Sequence, residues 1–165
     1  MTETNEELAA KVVRRLQAGG LMLTTAESCT GGLVAGAITG IAGSSSVLDR
    51  GFVTYSNAAK TEMIGVSATL IESEGAVSRP VAEAMAKGAF IHSRAGVAVA
   101  ITGIAGPGGG SAGKPVGLVH FAAADERTIL HRECRFGEIG RNAVREASVR
   151  QALELILEIT SSEGD

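Results

Sequence analysis

Aromatic side chains are scarce: of 165 residues, none is Trp, one is Tyr and four are Phe. A single-stranded nucleic-acid site that works by stacking successive bases has no platform here. Neither sign of charge dominates. Fifteen Lys and Arg stand against 18 Asp and Glu, for a formal charge of −3, whereas a protein that grips duplex phosphates carries a basic excess. The two cysteines, Cys29 and Cys134, offer neither metal-type spacing nor a disulfide framework. No apolar run approaches the ~18 residues of a membrane-spanning helix. The opening MTETNEELAAK is acidic and polar, unlike a secretory signal. These absences point to a reduced, cytoplasmic, soluble protein with no nucleic-acid or membrane partner.

Glycine is the residue in excess, at 22, and much of it falls in polar loops that follow apolar runs. The chain reads as a single domain over residues 1–165 with a core at about 6–160. Residues 5–18 have helical spacing (Leu8, Val12, Leu16), a Thr4–Glu7 capping box and a Gly19-Gly20 stop. Residues 21–26 read as a strand, 32–41 as a helix rich in small residues, and 51–56 (GFVTYS) as a second strand. Asn57, Ser67 and Ser78 are placed to cap three further helices, the last with Pro80 in its first turn. The continuous apolar run 97–102 (VAVAIT) suits a strand covered on both faces. Runs 116–123 and 128–136 form a hairpin, residues 140–159 a final helix, and the closing SSEGD a frayed tail. Together these predict an α/β fold: a three-layer α/β/α sandwich around a mixed sheet, mainly parallel at its centre, with a late antiparallel hairpin.

Several stretches carry candidate chemistry. Residues 108–114 (GGGSAGK) match the first seven positions of a phosphate-binding P-loop, but Pro115 replaces the required hydroxyl and a strand pattern follows where a helix is needed. A triphosphatase is therefore rejected, although a glycine loop at a strand end still lets backbone amides approach an anion. Thr30, Gly31 and Gly32 stand where ESCTGG enters a helix, so free N–H groups there can hold phosphate; the alternative is a simple cap with close packing. Nucleophile candidates are Cys29, Ser28 and the run Ser44-Ser45-Ser46, with Cys29 favoured as a packing residue. His92, His120 and His131 lie in a helix and two hairpin strands, apart from the Gly/Ser loops, which disfavours a Ser-His-Asp triad or a zinc site. Lys60, one turn past a strand and among hydroxyls, becomes a base if burial lowers its pKa; spacing alone favours a solvated lysine. Arg141 and Arg145, four apart on the last helix, form either an anion clamp or a solvated basic face.

Taken together, TAESCTGG, AGSSSVLDRGFVTYSNAAK, GAVS, ITGIAGPGGG with KPVG, and a closing R-x-x-x-R helix resemble the CinA C-terminal domain family over about residues 6–155. The stand-alone members of that family are nicotinamide-nucleotide amidases, and the resemblance covers the amidase half of full-length CinA proteins. It implies hydrolysis of the carboxamide of nicotinamide mononucleotide, a pyridine nucleotide, in nucleotide salvage, with no metal or cofactor, by a serine–lysine pair in a homo-oligomeric enzyme. The lysine closing YSN-x-x-K falls on Lys60, with Tyr55 as a hydrogen-bonding helper. The serine of AGSS falls on Ser45, with Ser44 and Ser46 as alternatives. Substrate binding is implied for Ser28, Thr30, Gly31, Gly32, Asn57, Thr102, Gly103, Ala105, Gly106 and Arg141. One departure is visible: the family's Gly-Asp-Arg before the last helix is here Gly137-Glu138-Ile139-Gly140-Arg141, so the arginine is matched and the aspartate is not. Two rival readings remain: a non-catalytic nucleotide-binding module linked to competence or DNA damage, and an amidase for a different amide.

Overall fold

The computed structural model describes residues 2–161; the tail expected to fray, residues 162–165, lies outside the described residues. The chain runs α1 (Asn5–Gly19), β1 (Leu23–Glu27), α2 (Leu33–Thr39), a 3₁₀ turn (Ser44–Ser46), β2 (Leu48–Val53), α3 (Asn57–Ile64), α4 (Ala68–Glu74), α5 (Arg79–Ile91), β3 (Val97–Gly103), β4 (Leu118–Ala124), β5 (Ile129–Arg135) and α6 (Arg141–Ile159). The expected Thr4–Glu7 capping box closes the start of α1. Ser67 and Ser78 cap α4 and α5, with Pro80 in the first turn of α5.

Five strands form one sheet in the order β2-β1-β3-β4-β5. The β2-β1 and β1-β3 pairs are parallel; the β3-β4 and β4-β5 pairs are antiparallel. Side-chain alternation on β3 explains the layering. Val97, Val99 and Ile101 pack with Val12, Val34 and Leu153, from α1, α2 and α6. Ala98 and Ala100 face the other way, toward Val81, Met85 and Ala89 of α5. Small side chains there let α5 come close, which completes the expected three-layer α/β/α arrangement.

Strand ends shift by up to three residues from those expected, and one of these shifts bears on the site. The strand expected at 51–56 occupies Leu48–Val53, because Tyr55 and Ser56 leave the sheet to begin α3. Ser56, not Asn57, is the cap: its Oγ accepts from the Ala59 N–H at 3.0 Å. This early departure brings Lys60 back beside the end of β1.

Candidate active site

β1 and β2 run parallel, so the segments after Glu27 and after Val53 emerge at the same end of the sheet. The chain after β3 emerges there too, because β1 and β3 are parallel. Two main-chain bonds knit these exits together: Ser28 N–H to the Ile101 carbonyl at 2.9 Å and Thr54 N–H to the Glu27 carbonyl at 2.9 Å. Ligands in α/β sheets bind outside such carboxyl ends. The cleft here measures about 290 Å³ and is lined by Ser28, Tyr55, Asn57, Lys60, Thr102, Gly103, Ala105, Gly106 and Arg141, among others. That is near the lower end of small-ligand sites, roughly 300–1,000 Å³. A larger cleft of about 780 Å³, between Leu21, Phe90 and the β4-β5 turn, carries none of the candidate residues.

At the floor of the site Lys60 is almost wholly buried, with 1% of its surface exposed. Its Nζ lies 3.0 Å from Ser28 Oγ, 2.9 Å from the Thr54 carbonyl and 3.4 Å from the Tyr55 carbonyl. Burial lowers the lysine pKa below 10.5, opposed by the charge of a Cys29 thiolate. Three partners match either protonation state. As an ammonium, Lys60 donates to all three oxygens. As a neutral amine it donates two N–H bonds to the carbonyls of Thr54 and Tyr55 and turns its lone pair to the Ser28 hydroxyl.

The serine beside Lys60 is not one of the triple run. Ser44–Ser46 precede β2, and the Val47 carbonyl accepts from Leu23 N–H at the start of β1. Lys60 follows the far end of β2, and six extended residues (Leu48–Val53) span roughly 16 Å. Ser45 is exposed and Ser46 bonds to Gly43 and Gln17. The expected Ser45–Lys60 pair is thus not brought together; Ser28, read from the sequence as a substrate contact, is the serine beside the lysine. Parallel connectivity was the available signal, since residues after β1 and after β2 share an end while those before β2 do not.

In the ESCTGG loop the amides of Gly31 and Gly32 already have acceptors. The buried Glu27 carboxylate accepts N–H bonds from Gly32 at 3.2 Å, Val34 at 2.9 Å and Ala35 at 3.0 Å. Gly31 N–H donates to the Ser28 carbonyl. Gly31 and Gly32 adopt φ of 57° and 108°, a region glycine enters without steric cost. Their amides are therefore occupied and their role is the turn itself. Thr30 is fully buried, and its hydroxyl has no hydrogen-bond partner among the described residues. Over this loop lies α6: Arg145 Nε donates to the Cys29 carbonyl at 3.1 Å and Nη2 to the Thr30 carbonyl at 3.4 Å. Cys29 is buried, and desolvation raises its thiol to about 11, which fits packing rather than attack.

Arg141 guards the mouth. Nη1 donates to the Gly106 carbonyl at 2.7 Å and Nη2 to the Tyr55 hydroxyl at 3.0 Å. Tyr55 thus serves the site twice, its ring reaching the arginine and its carbonyl the lysine. Asn57 opens α3 on the rim, and Thr102 Oγ1 donates to the Ala76 carbonyl at 2.9 Å. Gly106 sits at φ 84°, and a Cβ there would meet Val116 at 2.5 Å. Lys114 Nζ donates to the Glu74 carbonyl, and β4 rather than a helix follows, consistent with rejecting the P-loop. His120 stands closer than its sequence position suggested. It pairs across the ladder with Thr102, and its Nδ1 lies 2.9 Å from His131 Nε2. No group of three or more metal-ligating side chains occurs among the described residues.

Comparison with known proteins agrees with this architecture. The model of the CinA C-terminal domain matches residues 5–160. The chain belongs to the CinA C-terminal domain family. It is 53% identical over 152 residues to the nicotinamide-nucleotide amidohydrolase PncC of Escherichia coli K12, covering 91% of each chain. A CinA-like protein of Synechococcus is 47% identical over 153 residues, which are 92% of this chain and 37% of that one. The solved competence/damage-inducible protein CihA of Agrobacterium tumefaciens superposes with a TM-score of 0.93 at 55% identity, covering 98% of this chain and 100% of that one. No described helix is long and apolar enough to cross a membrane.

Proposed function

We propose that this CinA-family domain is an amidohydrolase that converts nicotinamide mononucleotide to nicotinate mononucleotide and ammonia, with Ser28 as nucleophile and Lys60 as base. The observation that carries the reading is the 3.0 Å approach of the buried Lys60 Nζ to Ser28 Oγ on the floor of the cleft. The name of the PncC relative supports the substrate. Neutral Lys60 takes the Ser28 proton as Oγ attacks the carboxamide carbon. The tetrahedral oxyanion forms against backbone N–H groups of the 28–32 loop. It collapses with cleavage of the C–N bond, and the Lys60 ammonium protonates the departing amide nitrogen to give ammonia. Water then attacks the Ser28 ester, Lys60 taking its proton and returning it to Oγ as nicotinate mononucleotide leaves. The pyridinium of the substrate withdraws electrons from the amide, so the residues suffice without a cofactor. Arg141, at the mouth, is placed to meet the nucleotide phosphate. The setting is pyridine-nucleotide salvage in the cytoplasm.

The test is ammonia release from nicotinamide mononucleotide, nicotinamide riboside and nicotinamide by the wild type, Ser28→Ala and Ser45→Ala. The expected result is activity on the mononucleotide, lost at least ~10³-fold in Ser28→Ala and within about twofold of wild type in Ser45→Ala. Loss in Ser45→Ala with retention in Ser28→Ala refutes the pair. Equal rates on all three substrates remove the phosphate role of Arg141. Nucleotide binding with no ammonia release by the wild type identifies a binding module instead.

A further inference from the structure

Arg145 takes no part in the chemistry above, yet both of its hydrogen bonds go to the main chain of the loop that follows Ser28. Arg141 reaches the mouth of the cleft. Arg145 spends its guanidinium on two main-chain carbonyls, those of Cys29 and Thr30. A trans peptide holds its C=O and N–H in opposite directions. Drawing the Cys29 carbonyl toward α6 therefore turns the Thr30 N–H away from α6. The Ser28 carbonyl, taken by Gly31 N–H, orients the Cys29 N–H in the same way. Within residues 28–32, the N–H groups of Ser28, Gly31 and Gly32 have acceptors, whereas that of Cys29 meets only its own sulfur and that of Thr30 has none among the described residues. Two donors that no other residue takes thus immediately follow the serine. A cation bonded to the carbonyl of a peptide also polarises that peptide, which strengthens its N–H as a donor where water is sparse. The guanidinium lies within van der Waals reach of the loop: a Cβ on Gly31 would lie 3.5 Å from Arg145 Nη2.

We infer that Arg145 is a positioning residue of the amidase reaction. By gripping the Cys29 and Thr30 carbonyls, it aims and polarises the free N–H groups that receive the oxyanion as Ser28 attacks. It touches neither substrate nor proton. The inference rests on Ser28 as nucleophile.

The experiment compares wild type, Arg145→Ala, Arg145→Lys and Ser28→Ala in steady-state ammonia release from nicotinamide mononucleotide, with thermal melting of each. Loss of one oxyanion donor typically costs 10²–10³ in kcat. A loosened pair of donors is expected to lower kcat of Arg145→Ala about 30- to 100-fold, with KM changed less than about threefold. Arg145→Lys keeps the charge but reaches only one carbonyl, so its kcat falls between the two. Added guanidinium restores kcat of Arg145→Ala at least about tenfold and leaves wild type unaffected. If Arg145→Ala does not fold, Arg145→Lys with an unchanged melting temperature decides by its kcat alone. A rise in KM at constant kcat makes Arg145 a substrate contact and overturns the inference, as does wild-type kcat in a folded Arg145 variant. When Ser28→Ala is dead and Arg145→Ala keeps wild-type kcat, only this inference falls. An active Ser28→Ala removes the nucleophile assignment and the inference with it.

Discussion

Replacing Lys60 with methionine tests the buried amine in two independent ways. Methionine fills a similar volume but can neither take a proton nor donate to the Thr54 and Tyr55 carbonyls. General-base catalysis contributes roughly 10²–10⁴-fold, and the role proposed for this lysine includes activating Ser28, so kcat is expected to fall by at least ~10³. The second readout is folding stability against pH. Burial lowers the folded-state pKa of Lys60 below 10.5, while the unfolded chain keeps the ordinary value. Between the two values the unfolded state holds a proton that the folded state lacks. Raising pH through that window therefore stabilises the folded wild type, by at most about 1.4 kcal/mol per pH unit for one group. Below the folded value and above 10.5 the contribution is flat. Urea unfolding of wild type and Lys60→Met at pH 6 to 10 isolates this term, because other groups cancel in the difference. The stability of wild type minus variant is expected to rise with pH. The acid limb of wild-type kcat/KM is expected to rise as well, with its midpoint below 10.5. A pH-independent or falling stability difference, or ammonia release by Lys60→Met within about threefold of wild type, refutes the buried-base argument.

Two further outcomes follow from packing and burial. Gly88→Ala places a Cβ 2.0 Å from the Ile64 carbonyl oxygen at the contact of α5 with the end of α3. Overpacking of this kind costs about 1–3 kcal/mol or more, so a melting temperature lowered by several degrees is expected, and an unchanged one contradicts the close contact. With its thiol raised to about 11, Cys29 is on the order of one part in a thousand thiolate at pH 8. Iodoacetamide labelling followed by peptide mass analysis should find it unreactive in the native protein and readily labelled in urea. Equal rates in both states would overturn its assignment as a packing residue.

The elements of the fold were legible because each rests on short-range chemistry. Thr4 and Glu7 form their capping box within one turn, and the 97–102 run reports a strand covered on both faces. Boundaries that depend on what comes next were less so. The segment 51–56 favours β-structure throughout, but Ser56 makes a better cap than Asn57 here, and that cap ends β2 at Val53. Lys60 was recognisable as a candidate base, yet the serine beside it was not. AGSS and ESCTGG both offer hydroxyls, and local sequence does not rank them. Parallel strands do, because they send residues 28 and 54–60 to one end and leave residues 44–46 at the other. The arginines show the same limit: two residues four apart on one helix face read as a pair, whereas the structure gives Arg141 to the mouth of the cleft and Arg145 to the main chain of the loop.

By itself the sequence determined the layer architecture, the family likeness and the residue types of the chemistry, since hydrophobic period, capping and motif order are local properties. Tertiary structure alone decided which serine meets Lys60 and that the lysine is buried. It also decided that Glu27 and Arg145 bind the loop's backbone rather than a ligand. The Ser28–Lys60 and Cys29–Arg145 contacts join residues 32 and 116 apart in sequence, and the burial of the amine is a desolvation; such quantities exist only once the sheet has brought the strand ends together.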